Sequence, residues 1–212
     1  MSFTQIDCYP IELPFGVTNS CLIRSSDAAQ VLIVDPVGSP KDWAARLSPR
    51  ETPLAILLTH GHYDHITAAQ LLRETHQIPL YCSILDQDLL RYSVGLLNSM
   101  GFPLSLQVDQ WIQPGQEALT FGGGTVRLIH TPGHSKGSLC FHLPDAKLLI
   151  SGDTLFYESV GRTDFPDRAM QGDAAALQES LKKLMQLPPD TRVFPGHGPG
   201  TTIGHELQYN SV

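Results

Sequence analysis

Short apolar and β-branched runs, bounded by Gly, Pro, Asn and Asp, recur along most of the chain, the pattern that half-buried or fully buried strands leave in a sequence. They predict strands over Ile6–Ile11, Ser20–Arg24, Val31–Asp35, Leu54–Thr59, Leu80–Cys82, Leu106–Trp111, Thr125–His130, Leu139–His142, Lys147–Ser151 and Arg192–Pro195. Helical spacing predicts helices over Lys41–Leu47, His65–His76, Ile84–Tyr92 and Asp173–Leu187. The last carries leucines at 177, 181, 184 and 187, a single helical stripe, with Asp173 placed to cap its first turn. Gly95–Ser105 is the least regular stretch and reads as a folded surface loop. Gly122-Gly123-Gly124 lacks the spacing and the lysine of a phosphate loop and reads as a hairpin turn. Strands first, then strands mixed with helices, predict an α/β fold with helices packed outside its sheets.

Composition narrows the class. A chain of 212 residues suits one domain over 1–212, and at this size folding removes roughly 70% of the chain's surface from water, so a core needs no cross-links. Hydrophobic residues make up 42% and charged residues 17%, which excludes a disordered protein. Net charge is −7 with no Lys/Arg run, which argues against a nucleic-acid partner. The longest apolar run, Leu54–Leu58, falls far short of the ~20 residues of a membrane helix. Met1–Asp7 has no basic stretch leading into an apolar one, so no signal peptide is read there. Cys8, Cys21, Cys82 and Cys140 show no C-x-x-C spacing and are expected as buried free thiols in a cytoplasmic protein.

The chemistry gathers where predicted strands end. His60-Gly61-His62-Tyr63-Asp64-His65 follows Leu54–Leu58 directly. At an extended strand end, alternate residues face one way, so His60 and His62 point together. The turn after them presents Asp64 and His65 to a neighbouring point. Two adjacent pairs of imidazole and carboxylate donors suit divalent ions, zinc first, with iron and manganese accepted by the same donors. His134 leaves the Pro132-Gly133 turn after His130, Asp153 follows the apolar run Leu148–Ile150 through Ser151-Gly152, and His197 follows Val193–Pro195 through Gly196. A carboxylate at the end of a buried strand is costly unless it is paired or bound to metal. Asp35, at the end of Val31–Val34, suits an acceptor that orients a ligating imidazole, as metal-bound histidine requires; a turn before Pro36 explains it as well. His130 reads as a satisfied strand-end residue, and His76 and His142 as surface or core residues.

This series resembles the metallo-β-lactamase fold, in order and over nearly the whole chain. The resemblance implies a four-layer αββα sandwich. It also implies a dinuclear site: one ion on His60, His62 and His134, a second on Asp64, His65 and His197, and Asp153 on both. Gly161-Arg162-Thr163-Asp164-Phe165-Pro166 and Gly196-His197-Gly198-Pro199-Gly200-Thr201-Thr202 are similar to the short glyoxalase II-type, hydroxyacylglutathione hydrolase-like enzymes. The separate C-terminal helical domain of the longer enzymes is not expected here.

The expected reaction is therefore hydrolysis of a small thioester, a 2-hydroxyacylglutathione such as S-lactoylglutathione, by hydroxide held between two ions. Asp64 and Asp153 would orient the nucleophile and take its proton. Tyr63 and Phe156 are candidates for the acyl pocket, and Arg162 for a substrate carboxylate. A salt bridge from Arg162 to Asp164 or Asp167 is the structural counterpart. His205 is not expected to be a ligand. Gly-Arg-Thr-Asp-Phe also occurs in persulfide dioxygenases of the same superfamily, which keeps open oxidation of glutathione persulfide at one Fe(II) on His60, His134 and Asp153. Hydrolysis of another ester or lactone stays open too. The absent export signal and Asp153 disfavour β-lactam hydrolysis. Neither a nucleic acid nor a membrane is expected as partner, and the sequence does not separate monomer from homo-oligomer.

Overall fold

A computed structural model of the chain describes residues 2–122 and 124–210. Its strands are β1 (Phe3–Leu13), β2 (Gly16–Ser25), β3 (Gln30–Val34), β4 (Thr52–Leu57), β5 (Leu80–Ser83), β6 (Gln110–Ile112), β7 (Ala118–Phe121), β8 (Gly124–His130), β9 (Leu139–Leu143), β10 (Leu148–Gly152), β11 (Leu155–Phe156), β12 (Ser159–Val160), β13 (Arg192–Pro195) and β14 (Thr201–Thr202). The helices are α1 (Pro40–Ala44), α2 (Ala69–His76), α3 (Gln87–Ser99), α4 (Ala174–Leu184) and α5 (Ile203–Tyr209). One sheet runs β1-β2-β3-β4-β5-β6, the other β14-β13-β10-β9-β8-β7, and β11 and β12 form a separate hairpin.

The run Leu54–Leu58 lacks polar alternation because both its faces are buried. Ala55 and Leu57 join the core between the sheets with Ile23, Leu32, Phe141, Leu148 and Ile150. Ile56 and Leu58 join a second core, with Leu72, Leu90 and Leu97, under the helices outside the first sheet. A third core packs Leu177, Leu181 and Leu184 of α4 and Ile203 of α5 on Cys140, Leu149 and Val193 of the second sheet. The layers are thus α, β, β, α. Asp173 caps α4, accepting from Ala176 N at 3.0 Å. No helix among the described residues is long and apolar enough to cross a membrane.

Four expectations change. Helix α3 continues to Ser99 instead of ending at Tyr92, because Ser93 and Leu97 are fully buried while Gly95, the start of the stretch expected as a loop, lies on the exposed face. Leu106–Asp109 is not strand: side chains occupy nearby backbone groups, with Leu104 N donating to Asn98 Oδ1 and Gln107 N to Gln70 Oε1. His65 lies in a 3-10 turn (Tyr63–His65), and α2 begins only at Ala69. Cys8 and Cys21, expected as free thiols, face each other across β1 and β2 and are joined by a disulfide. Cys82 and Cys140 are free and buried. Strands β7 and β8 meet in a hairpin with Phe121 opposite Gly124, where the glycine turn was expected; Gly123 lies outside the described residues.

Candidate metal centre

Strands β3 and β4 run parallel in the first sheet, and β10 and β13 run parallel in the second. Strand β8 shares their direction, being separated from β10 by antiparallel β9. Their C-terminal ends therefore open onto one edge of the sandwich, where Leu139 N of the second sheet donates to Thr59 O of the first at 2.8 Å. That edge collects His60, His62, Asp64 and His65 after β4, His134 after β8, Asp153 after β10 and His197 after β13. At the turn before His134, Gly133 has φ +145°, and a Cβ there would lie 2.4 Å from Leu177 Cα of α4. Only glycine lets the loop lie this close to the helix.

The side chains form two adjoining groups. His60, His62 and His134 offer nitrogens that lie within 4.8 Å of one another, and so do donor atoms of Asp64, His65 and His197. His62 Nδ1 is 2.8 Å from His134 Nε2. Asp153 lies between the groups, with Oδ2 3.4 Å from His134 Nε2 and 3.2 Å from His197 Nε2, and Oδ1 3.4 Å from His65 Nε2. His60, His62, His65, His134 and Asp153 are buried. Three of the buried atoms, His60 Nε2, His62 Nε2 and Asp153 Oδ1, have no hydrogen-bond partner among the described residues. Orphaned polar atoms are expensive in an apolar interior, and converging imidazole and carboxylate donors are what a divalent cation satisfies. The residues therefore fit such ions.

Hydrogen bonds at the far side of the His65, His134 and His197 rings fix their orientation. Asp35 accepts from Thr59 N through Oδ1 at 2.7 Å, and through Oδ2 from Thr59 Oγ1 at 2.6 Å and His65 Nδ1 at 3.0 Å. Its backbone φ of +47° is the left-handed turn conformation that Asp tolerates, so it serves as both orienting acceptor and turn residue. Asp35 also lies near His60 and His65 in ligand-like geometry, but these three donors already occupy both its oxygens. His134 Nδ1 donates to Arg162 O at 2.8 Å and His197 Nδ1 to Val17 O at 2.6 Å, leaving each Nε2 turned toward Asp153.

Electrostatics divides the two groups. Burial holds His60 well below the ordinary histidine value and, with His134 beside it, brings His62 down to about 3. These imidazoles are neutral, the form that binds metal. Burial also opposes charge on His65, but Asp153 and Asp64 outweigh it and raise His65 well above its ordinary value. Against the same opposition, hydrogen bonds to Asp153 and Asp64 push His197 up to about 10. In turn, His65 and His197 overcome burial and hold Asp153 well below the carboxylate range, with Asp64 lowered likewise.

A cleft of about 320 Å³ opens beside Asp153, His134 and His197. Tyr63, Phe156 and Arg162 line it, together with Val160, Phe165 and Met170, which the sequence reading did not single out. Phe165 stands 4.9 Å from the His62 ring and 5.4 Å from the His134 ring, centroid to centroid. Arg162 lies over Phe165 and pairs with Asp164 at 3.1 Å. His130 Nε2 donates to Lys136 O at 2.9 Å. His205 stacks on Tyr157 and meets Glu158 Oε1 at 3.0 Å, outside both donor groups. His142 is buried on β9, and His76 ends α2.

The fold and this donor constellation define a metallo-hydrolase class of protein. The sequence matches the Metallo-beta-lactamase superfamily over residues 13–197, and the chain belongs to that superfamily. Among relatives, it is 37% identical to a probable metallo-hydrolase, YqgX, of Bacillus subtilis over 199 residues, covering 91% of this chain and 90% of the other. It is 32% identical to the hydroxyacylglutathione hydrolase GloC of Haemophilus influenzae over 200 residues, 90% of this chain and 91% of the relative. Among solved structures, the BLEG-1 B3 metallo-beta-lactamase superposes with a TM-score of 0.82 at 35% identity, covering 98% of both chains. TTHA1623 in a di-iron-bound form gives 0.80 at 36%, covering 96% of this chain and 98% of that one. ETHE1 from Myxococcus xanthus gives 0.75 at 25%, covering 97% and 83%.

Proposed function

We propose that the chain hydrolyses thioesters at a centre of two divalent ions, with 2-hydroxyacylglutathiones such as S-lactoylglutathione as the substrate class. One ion is assigned to His60, His62 and His134, the other to Asp64, His65 and His197, and Asp153 to both. The observation that carries this reading is Asp153, a buried carboxylate within 3.4 Å of His65 and His134 and 3.2 Å of His197, so that one side chain touches both donor groups. Zinc suits these donors, and so does iron; the di-iron form of TTHA1623 supports iron as the alternative to zinc.

Ions bound there would polarise a carbonyl and activate water near neutral pH. The protein's own groups supply the rest. Asp35, Val17 O and Arg162 O hold His65, His197 and His134 with Nε2 toward Asp153. In this reading Asp64 and Asp153 take the nucleophile's proton. The thiolate is a good leaving group, so the absence of a strong acid among the cleft's lining residues is no obstacle. Phe156, Val160 and Phe165 exclude water from the acyl side. Arg162, with its planar fork of donors, faces the cleft from its pairing with Asp164 and is the cation assigned to a substrate carboxylate. In the cytoplasm, the compartment expected for a glutathione-linked substrate, Cys8 and Cys21 would stand reduced as a cross-strand dithiol.

The test is the initial rate on S-D-lactoylglutathione, with Asp153→Ala as control. Metal-site stabilisation is worth several kcal/mol, so the variant should lose about a thousandfold in rate and lose bound metal. Wild-type protein holding two ions without turnover would remove the substrate assignment, and normal turnover by Asp153→Ala would remove the site assignment. Two alternatives run in the same experiment. Oxygen uptake with glutathione persulfide tests the mononuclear iron reading that Gly161–Phe165 keeps open. A chromogenic cephalosporin tests β-lactam hydrolysis, raised by the likeness to BLEG-1.

A further inference from the structure

Two polar residues outside the donor set grip the loops that carry it, one beside His60, His62 and His134 and the other beside His197. Asp86 ends a 3-10 turn (Ile84–Asp86) just before α3 and is 1% exposed. Its Oδ2 accepts from Gly61 N at 2.9 Å and Ser135 Oγ at 2.7 Å, and its Oδ1 from Gly137 N at 2.7 Å. Gly61 separates His60 from His62, and Ser135 follows His134. One carboxylate thus ties together the two loops of the first donor group. The fit is close: a Cβ on Gly137 would lie 2.7 Å from Asp86 Cγ, and one on Gly61 would lie 3.2 Å from Asp86 O.

Asn19 does the corresponding work on the other side. It sits on β2, and its side-chain amide donates to Pro195 O at 3.0 Å and Gly198 O at 2.8 Å. Its backbone N donates to Gly196 O at 2.7 Å. Two residues earlier, Val17 O accepts from His197 Nδ1. Strand β2 of one sheet therefore holds the loop that carries His197 from the other. Asn19 makes no hydrogen bond to the loops of His60 or His134, and Asp86 makes none to the loop of His197. A residue with no atom in the donor set but several bonds to its loops acts by fixing donor geometry, which typically changes metal affinity by about 10–100-fold.

We propose that Asp86 and Asn19 are positioning residues that set the affinities of the two ion sites separately, Asp86 for the His60–His62–His134 site and Asn19 for the Asp64–His65–His197 site. This rests on the two-ion reading above. Asp86→Asn keeps the shape but turns an amide N–H₂ toward N–H or O–H donors. Asn19→Asp keeps the shape but turns a carboxylate toward two carbonyls.

The test titrates the full-length chain, stripped of metal, with Co(II), reading stoichiometry, the visible ligand-field spectrum and the shifted imidazole N–H signals. His134 Nδ1–H and His197 Nδ1–H are held by Arg162 O and Val17 O, so each reports on one site. Asn19→Asp should weaken the second site by about 10–100-fold, with loss of the His197 signal and retention of the His134 signal and the first-site spectrum. Asp86→Asn should do the reverse. If Asp86→Asn does not fold, Ser135→Ala removes one of its three bonds and should weaken the same site to a smaller degree; Asn19→Ser serves likewise for Asn19. Two ions in wild type with both sites weakened equally in each variant, or with neither changed, overturns the separate positioning while leaving the two-ion reading intact. A wild-type chain that takes one ion removes both.

Discussion

Replacing Asp35 by Asn is the sharpest test of how the site is held, because the substitution changes no volume and leaves every donor residue in place. Asp35 is 2% exposed and accepts three hydrogen bonds, two from Thr59 and one from His65 Nδ1. An amide has one acceptor oxygen. With that oxygen at the Oδ2 position, its N–H₂ meets Thr59 N–H, donor against donor. With the oxygen at Oδ1, the N–H₂ meets His65 Nδ1 and favours the tautomer whose proton is on Nε2, the atom facing Asp64 and Asp153. A hydrogen bond to a charged acceptor contributes ~1.5–3 kcal/mol, and a buried donor left facing another costs ~1–3 kcal/mol. The stability loss should therefore be about 3–5 kcal/mol, measured by urea unfolding with chelator present so that metal does not contribute. Misorienting His65 should weaken an ion held with Asp64 and His197 by about 10–100-fold, or ~1.4–2.7 kcal/mol at 1.36 kcal/mol per decade. Competition with a chromophoric chelator reads that directly. An Asp35→Asn protein with wild-type unfolding midpoint and metal affinity within threefold of wild type would refute the argument that this carboxylate orients His65.

Further outcomes follow from burial and charge elsewhere. Cys82 and Cys140 are fully buried, and burial raises the Cys82 thiol well above its ordinary value and Cys140 to about 11; an alkylating reagent should label neither in the native, oxidised protein, two cysteines after denaturation, and four after reduction, as counted by mass spectrometry. Asp109 accepts from Arg73 Nε at 2.6 Å and Leu80 N at 2.9 Å, and the Arg73 pairing lowers its pKa. Its stabilisation is thus complete above the unfolded value of ~3.9 and disappears as pH falls through the lower folded value. The melting-temperature gap between wild type and Asp109→Asn should close in that acid range, and a gap that widens there would contradict the ion pair. Gly133→Ala places a methyl 2.4 Å from Leu177 Cα and should cost ~1–3 kcal/mol from overpacking, seen as a lower melting temperature; an unchanged one would show that α4 yields freely.

The sequence by itself determined the roster of chemistry and most of the sheet. All the residues assigned to metal stand just beyond apolar runs, where a period-two strand gives way to Gly- or Pro-rich turns, so their types and positions are local information. Leu54–Leu58 and Leu148–Ile150 read as strands because both their faces are buried, and the leucines from 177 to 187 read as a helix because they share one face. Tertiary structure alone decided what is held by what. Asn19 is 176 residues from the carbonyl of Pro195 that it binds, and Asp86 is 25 residues from Gly61 and 51 from Gly137. Each looks in sequence like any polar residue in or beside a regular element. The Cys8–Cys21 pairing needed the β1–β2 register, Phe165 needed the loop that lays it against His62, and α3 needed the burial of Leu97 to carry it past Gly95. Periodicity reports a residue's own face and turn. Which faces and turns meet is set by strand order and sheet packing, and those contacts leave no local trace in the chain.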